Sequence, residues 1–364
     1  MTEPESPRSS RPHLAARLED WVTAMERRVL RSRGWQPAVV PYTGYGSGAW
    51  LRVLGRVLLA PPGDDELRPG VEPRPGVEPQ QPARGWRRFL LTVPLVDHEV
   101  LVEVDGGTHR VRTGPGGYVD ERVPVRLEPG WHEITLRLPQ HRATARIRVI
   151  GPEPTIGLVS DIDDTVLITH LPRPLVAAWN TFVLRETARA PVPGMAEYYR
   201  RLLERAPHAP VLYLSTGAWN TAPTLTRFLA RHRFPEGPLL LTDWGPTNTG
   251  WFRSGQDHKR ASLRRLAADL PQVRWVLVGD DGQHDPRIYA EFAAERPDVV
   301  AGIAIRRLTP AQQVLTANAQ VADRQVRPRT VPTVTAPDGA GLAAQLDVLT
   351  ARDGGSAPVV DDHG

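Results

Sequence analysis

The sequence predicts an α/β fold in which a parallel sheet covered by helices follows a smaller β-rich domain. Three observations carry this. A length of 364 residues exceeds one ordinary hydrophobic core and suits two. From Thr155 onward, short apolar runs alternate with helical patterns over about 150 residues, as parallel strands joined by helices require. The stretch before Thr155 carries strand-like alternation broken by Gly and Pro turns.

Taken in order, residues 1–12 are polar and proline-bearing and predict a disordered tail, as do residues 354–364. Leu14, Leu18, Trp21, Val22, Met25 and Val29 fall at helical spacing, and Arg33-Gly34 closes the run. Because its polar face mixes acids with arginines, this helix is expected to pack on a neighbouring domain and not on a membrane. The glycines of Tyr42–Gly48 are followed by no helix-opening pattern, so they predict a turn between strands in preference to a phosphate cradle. Residues 61–85 hold the hexapeptide RPGVEP twice, from Arg68 and from Arg74, and read as a Pro-rich insertion loop. Val100–Val104, the alternation Ile134, Leu136, Leu138, and Ala145, Ile147, Val149 predict strands of a small β-sandwich ending near Ile150. The expected divisions are 13–150 for the helix and β-sandwich domain, 151–310 for the α/β domain, and 311–364 for a C-terminal extension.

Within the α/β domain, Ile156–Ser160, Val211–Ser215, Leu239–Thr242, Trp275–Gly279 and Val300–Ile305 are the strand candidates. Met195–Glu204, Thr224–Arg231 and Arg260–Asp269 are helix candidates between them. In such sheets chemistry gathers at the carboxyl ends of the strands.

The formal net charge is +4, with no block resembling a nucleic-acid arm, so no nucleic-acid partner is expected. No apolar run approaches the roughly 20 residues of a membrane-spanning helix. The start MTEPESPRSS lacks a secretory pattern and the chain has no cysteine, which together predict a cytoplasmic location. Lys259 is the single lysine; every other basic side chain counted with it is arginine, which cannot imitate a compact ammonium charge.

Four signals fall at predicted strand ends or on a helix beside them. Asp161-Ile162-Asp163-Asp164-Thr165 crowds three carboxylates into four positions after an apolar strand, which implies a divalent cation among them. A calcium loop is disfavoured: its sixth position lacks glycine, its twelfth lacks glutamate, and a strand precedes it. Trp275–Asp281 is a second apolar strand ending in acids, with Asp285 a turn later; the two acidic ends can complete an oxygen shell for Mg²⁺, or serve as solvated helix caps. Leu212–Gly217 ends in the hydroxyls of Ser215 and Thr216, able to face a phosphate oxygen or to form an ordinary turn. Lys259 opens the helix Arg260–Asp269. Histidines 170, 258 and 284 lie near these motifs without zinc-site spacing.

The order strand-DxDxT, strand-Ser, helix-borne Lys, strand-GDD resembles the haloacid dehalogenase (HAD) superfamily of phosphohydrolases. Longer phrases, among them Pro191–Met195, Ala218–Asn220, Phe234–Pro238, Asp243–Gly245, His258-Lys259 and Gly279–Tyr289, are similar to the catalytic domain of actin-patch-associated phosphatidate phosphatases and their bacterial relatives. The resemblance covers about residues 150–307, and the β-rich part, with Gly44–Gly46 and Gly117-Tyr118, looks similar to the family's N-terminal region. It implies a Rossmann-like domain with a minimal cap. The short segment Val166–Ala190, with Leu171, Leu175, Val176, Trp179, Phe182 and Val183, predicts only a small flap, which either leaves the site open to a bulky substrate such as a lipid headgroup at a membrane surface or simply packs its apolar residues onto the core. The resemblance also implies Asp161 as nucleophile, Asp163 as general acid and base, and Thr165, Ser215 and Lys259 as phosphate-contacting groups, with Thr216 beside them. Asp161, Asp280 and Asp163, the last through its backbone carbonyl, would hold Mg²⁺. Departures stand at Thr216-Gly217-Ala218, where Ser and Pro are expected, and at Asp281, where Ser is more familiar; both adjoin the substrate side.

The expected function is Mg²⁺-dependent hydrolysis of a phosphomonoester through an aspartyl-phosphate, with phosphatidate, converted to diacylglycerol, as the substrate implied by resemblance and peripheral membrane association as a corollary. A soluble metabolite or phosphoprotein is the alternative substrate. From another class comes a non-catalytic lipid- or protein-binding module, which the presence of Asp161, Asp163, Lys259 and Asp280 disfavours.

Overall fold

The computed structural model describes residues 28–60, 93–168, 190–206, 208–242, 251–282, 284–309 and 331–350. Apart from residues 28–32, which are helical, the predicted N-terminal helix lies outside the described residues. So do the RPGVEP repeats and most of the Val166–Ala190 segment.

The β-rich part contributes strands β1 (Gln36–Ser47), β2 (Trp50–Ala60), β3 (Glu99–Val104), β4 (Gly107–Arg112), β5 (Tyr118–Pro124), β6 (Gly130–Leu138) and β7 (His141–Ile150). In place of the two packed sheets of the expected β-sandwich, these strands form one mixed sheet in the order β4-β3-β6-β7-β1-β2-β5. β3 pairs antiparallel with β4 and β6, whereas β1 and β7 run parallel, with Gly44 opposite Ile147. Inward positions are apolar at every second residue, as in Ala143, Ala145, Ile147 and Val149. Contrary to the expected turn, Gly44 and Gly46 lie inside β1, and the turn falls at Gly48-Ala49. They are glycine because of close backbone approach: a Cβ at Gly44 would stand 2.3 Å from the Arg52 carbonyl oxygen, and one at Gly46 2.2 Å from that of Trp50.

The second sheet is six-stranded and parallel, in the order β10-β9-β8-β11-β12-β13. Its strands are β8 (Thr155–Ser160), β9 (Val211–Ala218), β10 (Leu239–Thr242), β11 (Val273–Asp280), β12 (Val300–Arg306) and β13 (Thr333–Ala336). Five match the predicted strands; β13, from the C-terminal extension, adds an edge strand that the sequence reading left unassigned. Helices α1 (Met195–Arg205), α2 (Ala222–Arg231), α3 (Trp251–Asp269), α4 (Asp285–Glu295), α5 (Gly339–Ala343) and α6 (Leu346–Thr350) accompany it. Their buried stripes follow the helical period, as with Met195, Tyr198, Tyr199 and Leu202 on α1, or Ile288, Tyr289, Phe292 and Ala293 on α4. The central strands are apolar on both faces, with Leu158, Val159, Leu212, Leu214, Val276, Leu277 and Val278 all at 0% exposure.

By internal contacts the chain forms two compact units, one of Met1–Pro41, Gly55–Val119 and Thr135–Thr144, the other of Tyr42–Leu54, Asp120–Ile134 and Ala145–Gly364. The second holds the parallel sheet, every candidate site residue, and the Gly44–Ser47 end of β1. Among the described residues, no helix is long and apolar enough to cross a membrane.

Candidate active site

Strands β9, β8 and β11 are neighbours, so residues distant in sequence meet where they end. Ser160 sits opposite Tyr213 on one side and Val278 on the other, and the next amide, that of Asp161, donates to the Val278 carbonyl at 2.8 Å. The chain then turns: Val166 N–H and Leu167 N–H donate to the Ile162 carbonyl at 2.9 and 3.1 Å. Asp164, in this turn, adopts a left-handed backbone with φ 55°, a conformation that Asp tolerates better than most side chains.

The predicted residues converge unevenly. Lys259 Nζ lies 2.7 Å from Asp161 Oδ1 and 2.5 Å from Asp285 Oδ1, with all three side chains at most 3% exposed. Ser215 Oγ donates to Asp163 Oδ2 at 3.1 Å and accepts from the Gly217 amide at 2.9 Å. Thr165 is buried beside them and Thr216 is half-buried. Asp280, fully buried at the end of β11, accepts from the Gly282 amide at 2.7 Å. Asp281 turns away, its carboxylate accepting from the Leu308 amide at 2.8 Å. Lys259 stands in the middle of α3, which starts at Trp251 and not at Arg260 as expected.

Carboxylate oxygens of Asp161, Asp280 and Asp285 lie within 4.8 Å of one another. The Oδ2 atoms of all three are buried without a hydrogen-bond partner, as is Thr165 Oγ1. Burying unpaired carboxylate oxygens is expensive, so a hard divalent cation fits this donor set. The sequence pointed to Asp161, Asp163 and Asp280 for a metal; the carboxylates that cluster are those of Asp161, Asp280 and Asp285. Asp285 owes its place to the first turn of α4, and it crowds Gly279, where a Cβ would stand 2.5 Å from Asp285 Oδ2.

The electrostatics follow from burial and crowding. Burial drives the Asp161 carboxyl well above its usual range, opposed by Lys259 and reinforced by Asp285 and Asp163. Asp280 is raised by burial, then by Asp285 and Asp161. Lys259 resists the lowering that burial would impose, because Asp161 and Asp285 hold its charge in place. Beneath the cluster, the Ser160 and Tyr199 hydroxyls are hydrogen-bonded at 2.5 Å, and Ser160 Oγ also donates to the Asp161 carbonyl at 2.6 Å.

Two side chains escaped the sequence reading. Tyr199 is one of several buried aromatics, and no local sequence pattern separates it from them. Arg306 is only 4% exposed, and the sequence signal for it is a charged residue directly ending the apolar run Val300–Ile305.

The fold and this cluster define an α/β catalytic domain with a cation-ready acidic centre paired to a buried lysine. Residues 156–307 match the family described as the catalytic domain of phosphatidate phosphatase APP1, and this segment is similar to that catalytic domain. Over 152 residues, 42% of this chain, it is 27% identical to phosphatidate phosphatase APP1 of Saccharomyces cerevisiae and 30% identical to an uncharacterized protein of Schizosaccharomyces pombe. The match spans 26% and 25% of those two proteins, about a quarter of their length. Among solved structures, a carbohydrate acetylesterase from Xanthomonas citri is similar at 11% identity and TM-score 0.27, covering 78% of this chain and 73% of that one, too slight a likeness to bear on fold or function.

Proposed function

We propose that this chain is a magnesium-dependent phosphatase of the HAD type, acting on phosphomonoesters through an aspartyl-phosphate on Asp161, with phosphatidate as its substrate. In this reading residues 151–310 are the catalytic domain and residues 13–150 an accessory β-rich domain. The observation that carries it is the buried cluster of Asp161, Asp280 and Asp285 beside the carboxyl ends of β8 and β11, with Asp161 and Asp285 both paired to Lys259. The kinship with phosphatidate phosphatase APP1 supports the choice of lipid substrate.

Lys259 engages Asp161 Oδ1, and the Asp161 carboxylate is the group that attacks phosphorus. As the new P–O bond forms, the bond to the ester oxygen breaks, and Asp163 gives its proton to the departing alkoxide. Asp163 then takes a proton from water, whose oxygen attacks the phosphorus of the aspartyl-phosphate; the bond to Asp161 breaks and inorganic phosphate leaves. Ser215 orients Asp163 through its donated hydrogen bond. Thr165, Thr216 and Lys259 supply donors to the phosphoryl oxygens, and the Ser215 hydroxyl turns from Asp163 to join them once substrate is bound. Asp161, Asp280 and Asp285, with the Asp163 carbonyl, would hold Mg²⁺, which when bound offsets their mutual repulsion and the charge on the phosphoryl oxygens.

Phosphate release from short-chain phosphatidate and from soluble phosphomonoesters, with Mg²⁺ or EDTA, beside Asp161→Asn, tests this. Release from phosphatidate that needs Mg²⁺ and vanishes in the variant is expected. Preference for a soluble ester would replace the lipid substrate, and no release from any ester by folded, metal-loaded protein would overturn the phosphatase reading.

A further inference from the structure

The turn that carries Asp161, Asp163 and Thr165 is anchored from outside its own strand. Arg306, the last residue of β12, stands opposite Asp280 in the sheet register. Its Nη1 donates to the Asp164 carbonyl at 2.6 Å, and its Nε donates to the Pro337 carbonyl at 3.2 Å. The Arg306 carbonyl accepts from the Asp281 amide at 3.0 Å, so the residue also touches the second acidic strand end. One guanidinium thus joins the left-handed residue of the turn to the segment that follows β13.

That segment is itself fixed. The Arg307 amide donates to the Ala336 carbonyl at 2.7 Å, the Gly339 amide to the Pro193 carbonyl at 3.0 Å, and Asp338 caps α5 by accepting from the Gly341 amide at 2.9 Å. All of it lies beyond residue 307, where the match to the catalytic-domain family stops. A buried Arg whose fork bridges two backbone carbonyls fixes them relative to each other in a way that an apolar side chain of the same size would not.

We infer that Arg306 is a positioning residue of the nucleophile turn: it holds the Asp164 carbonyl, and with it the placement of Asp163 and Thr165, against the C-terminal segment 331–350. The inference deepens the phosphatase reading and rests on it for its catalytic consequence. Displacing the turn by about 1 Å moves Asp163 out of line with the leaving oxygen, which lowers turnover more than substrate binding. Lysine at this position keeps the cation and can reach one carbonyl but not both.

The test compares full-length wild type, Arg306→Gln and Arg306→Lys by steady-state kinetics with Mg²⁺ and by hydrogen exchange of the amides of residues 165–167. Arg306→Gln is expected to lower kcat about tenfold or more with KM changed less than about threefold. Exchange in the turn should accelerate while the amides of β9 and β11 keep their protection. Arg306→Lys, the variant that guards against misfolding, should recover at least half of the lost log kcat. Wild-type kcat in both variants, a rise in KM alone, or exchange that accelerates throughout the domain would each overturn the inference. If the wild type releases no phosphate, the phosphatase reading fails on its own, and unchanged exchange at 165–167 in Arg306→Gln still decides against the anchoring role.

Discussion

Lys259 and Asp285 form an ion pair of 2.5 Å in which neither side chain is more than 3% exposed, although 26 residues separate them in the chain. With Asp161 on the same ammonium, one positive charge faces two carboxylates, and Asp280 adds a third beside them. The centre is short of positive charge by its own construction.

Removing the lysine should therefore be severe. Lys259→Met is expected to destabilise the metal-free protein by about 3–5 kcal/mol, the usual consequence of stranding a buried charge partner. It should reduce kcat/KM by about 10² or more. Urea unfolding and steady-state kinetics measure the two effects separately.

Metal should stabilise the fold in a pH-dependent way. The Asp161 and Asp280 carboxyls are raised in the folded, metal-free protein, chiefly by burial, so the folded state holds protons that the unfolded state releases. Stability without metal is then expected to fall as pH rises from about 4. Saturating Mg²⁺ should flatten that decline, adding about 2.7 kcal/mol at a hundredfold excess over Kd. Thermal melts at a series of pH values, with and without Mg²⁺, read both; Asp285→Asn should blunt the metal's effect.

His258 should impose the opposite slope at mildly acid pH. Burial lowers its pKa to about 4, and its Nε2 lies 3.4 Å from the Leu240 carbonyl, to which the neutral ring donates. Because the folded value is depressed, the stability this neutral histidine contributes is complete above about 6.5 and is lost as pH falls toward 4. Relative to His258→Gln, the wild type should lose about 1–3 kcal/mol more across that window, allowing for partial exposure of the ring. Chemical denaturation of both proteins at pH 7 and pH 4 supplies the comparison.

Gly44→Ala tests the strand assignment of the glycine segment. The new methyl would stand 2.3 Å from the Arg52 carbonyl oxygen and 2.6 Å from Ile147 Cδ1, so strands must separate. A loss of about 2–4 kcal/mol is expected, against about zero for a glycine in an open turn. The denaturation midpoint of the variant distinguishes the two.

What could be read in advance was whatever lay in consecutive residues. The five strands from Ile156 to Ile305 announced themselves as apolar runs, because a strand buried on both faces has no polar alternation to confuse it. Asp161, Asp163 and Asp280 were visible as acids ending such runs. Asp285 was noticed only as a neighbour, since its role depends on where the first turn of α4 aims a carboxylate. Lys259 was found through its rarity, yet its helix was started nine residues late: Gly255 interrupts the apolar pattern ahead of it, and the backbone continues regardless. Gly44 and Gly46 misled because the reason for a glycine there is a partner strand that local sequence does not contain. Edge strand β13, four residues long, offered too little pattern to stand out from its surroundings.

A chain with one lysine among 364 residues, and that one about 2% exposed, has a consequence for covalent chemistry. Apart from the α-amino group, Lys259 is the sole primary amine an acylating reagent can find, and in the folded protein it is enclosed and held protonated by Asp161 and Asp285. Mass added at Lys259 therefore counts molecules whose centre has opened, with no background from surface amines. Any ligand or variant that loosens the acidic cluster would be registered by that single modification.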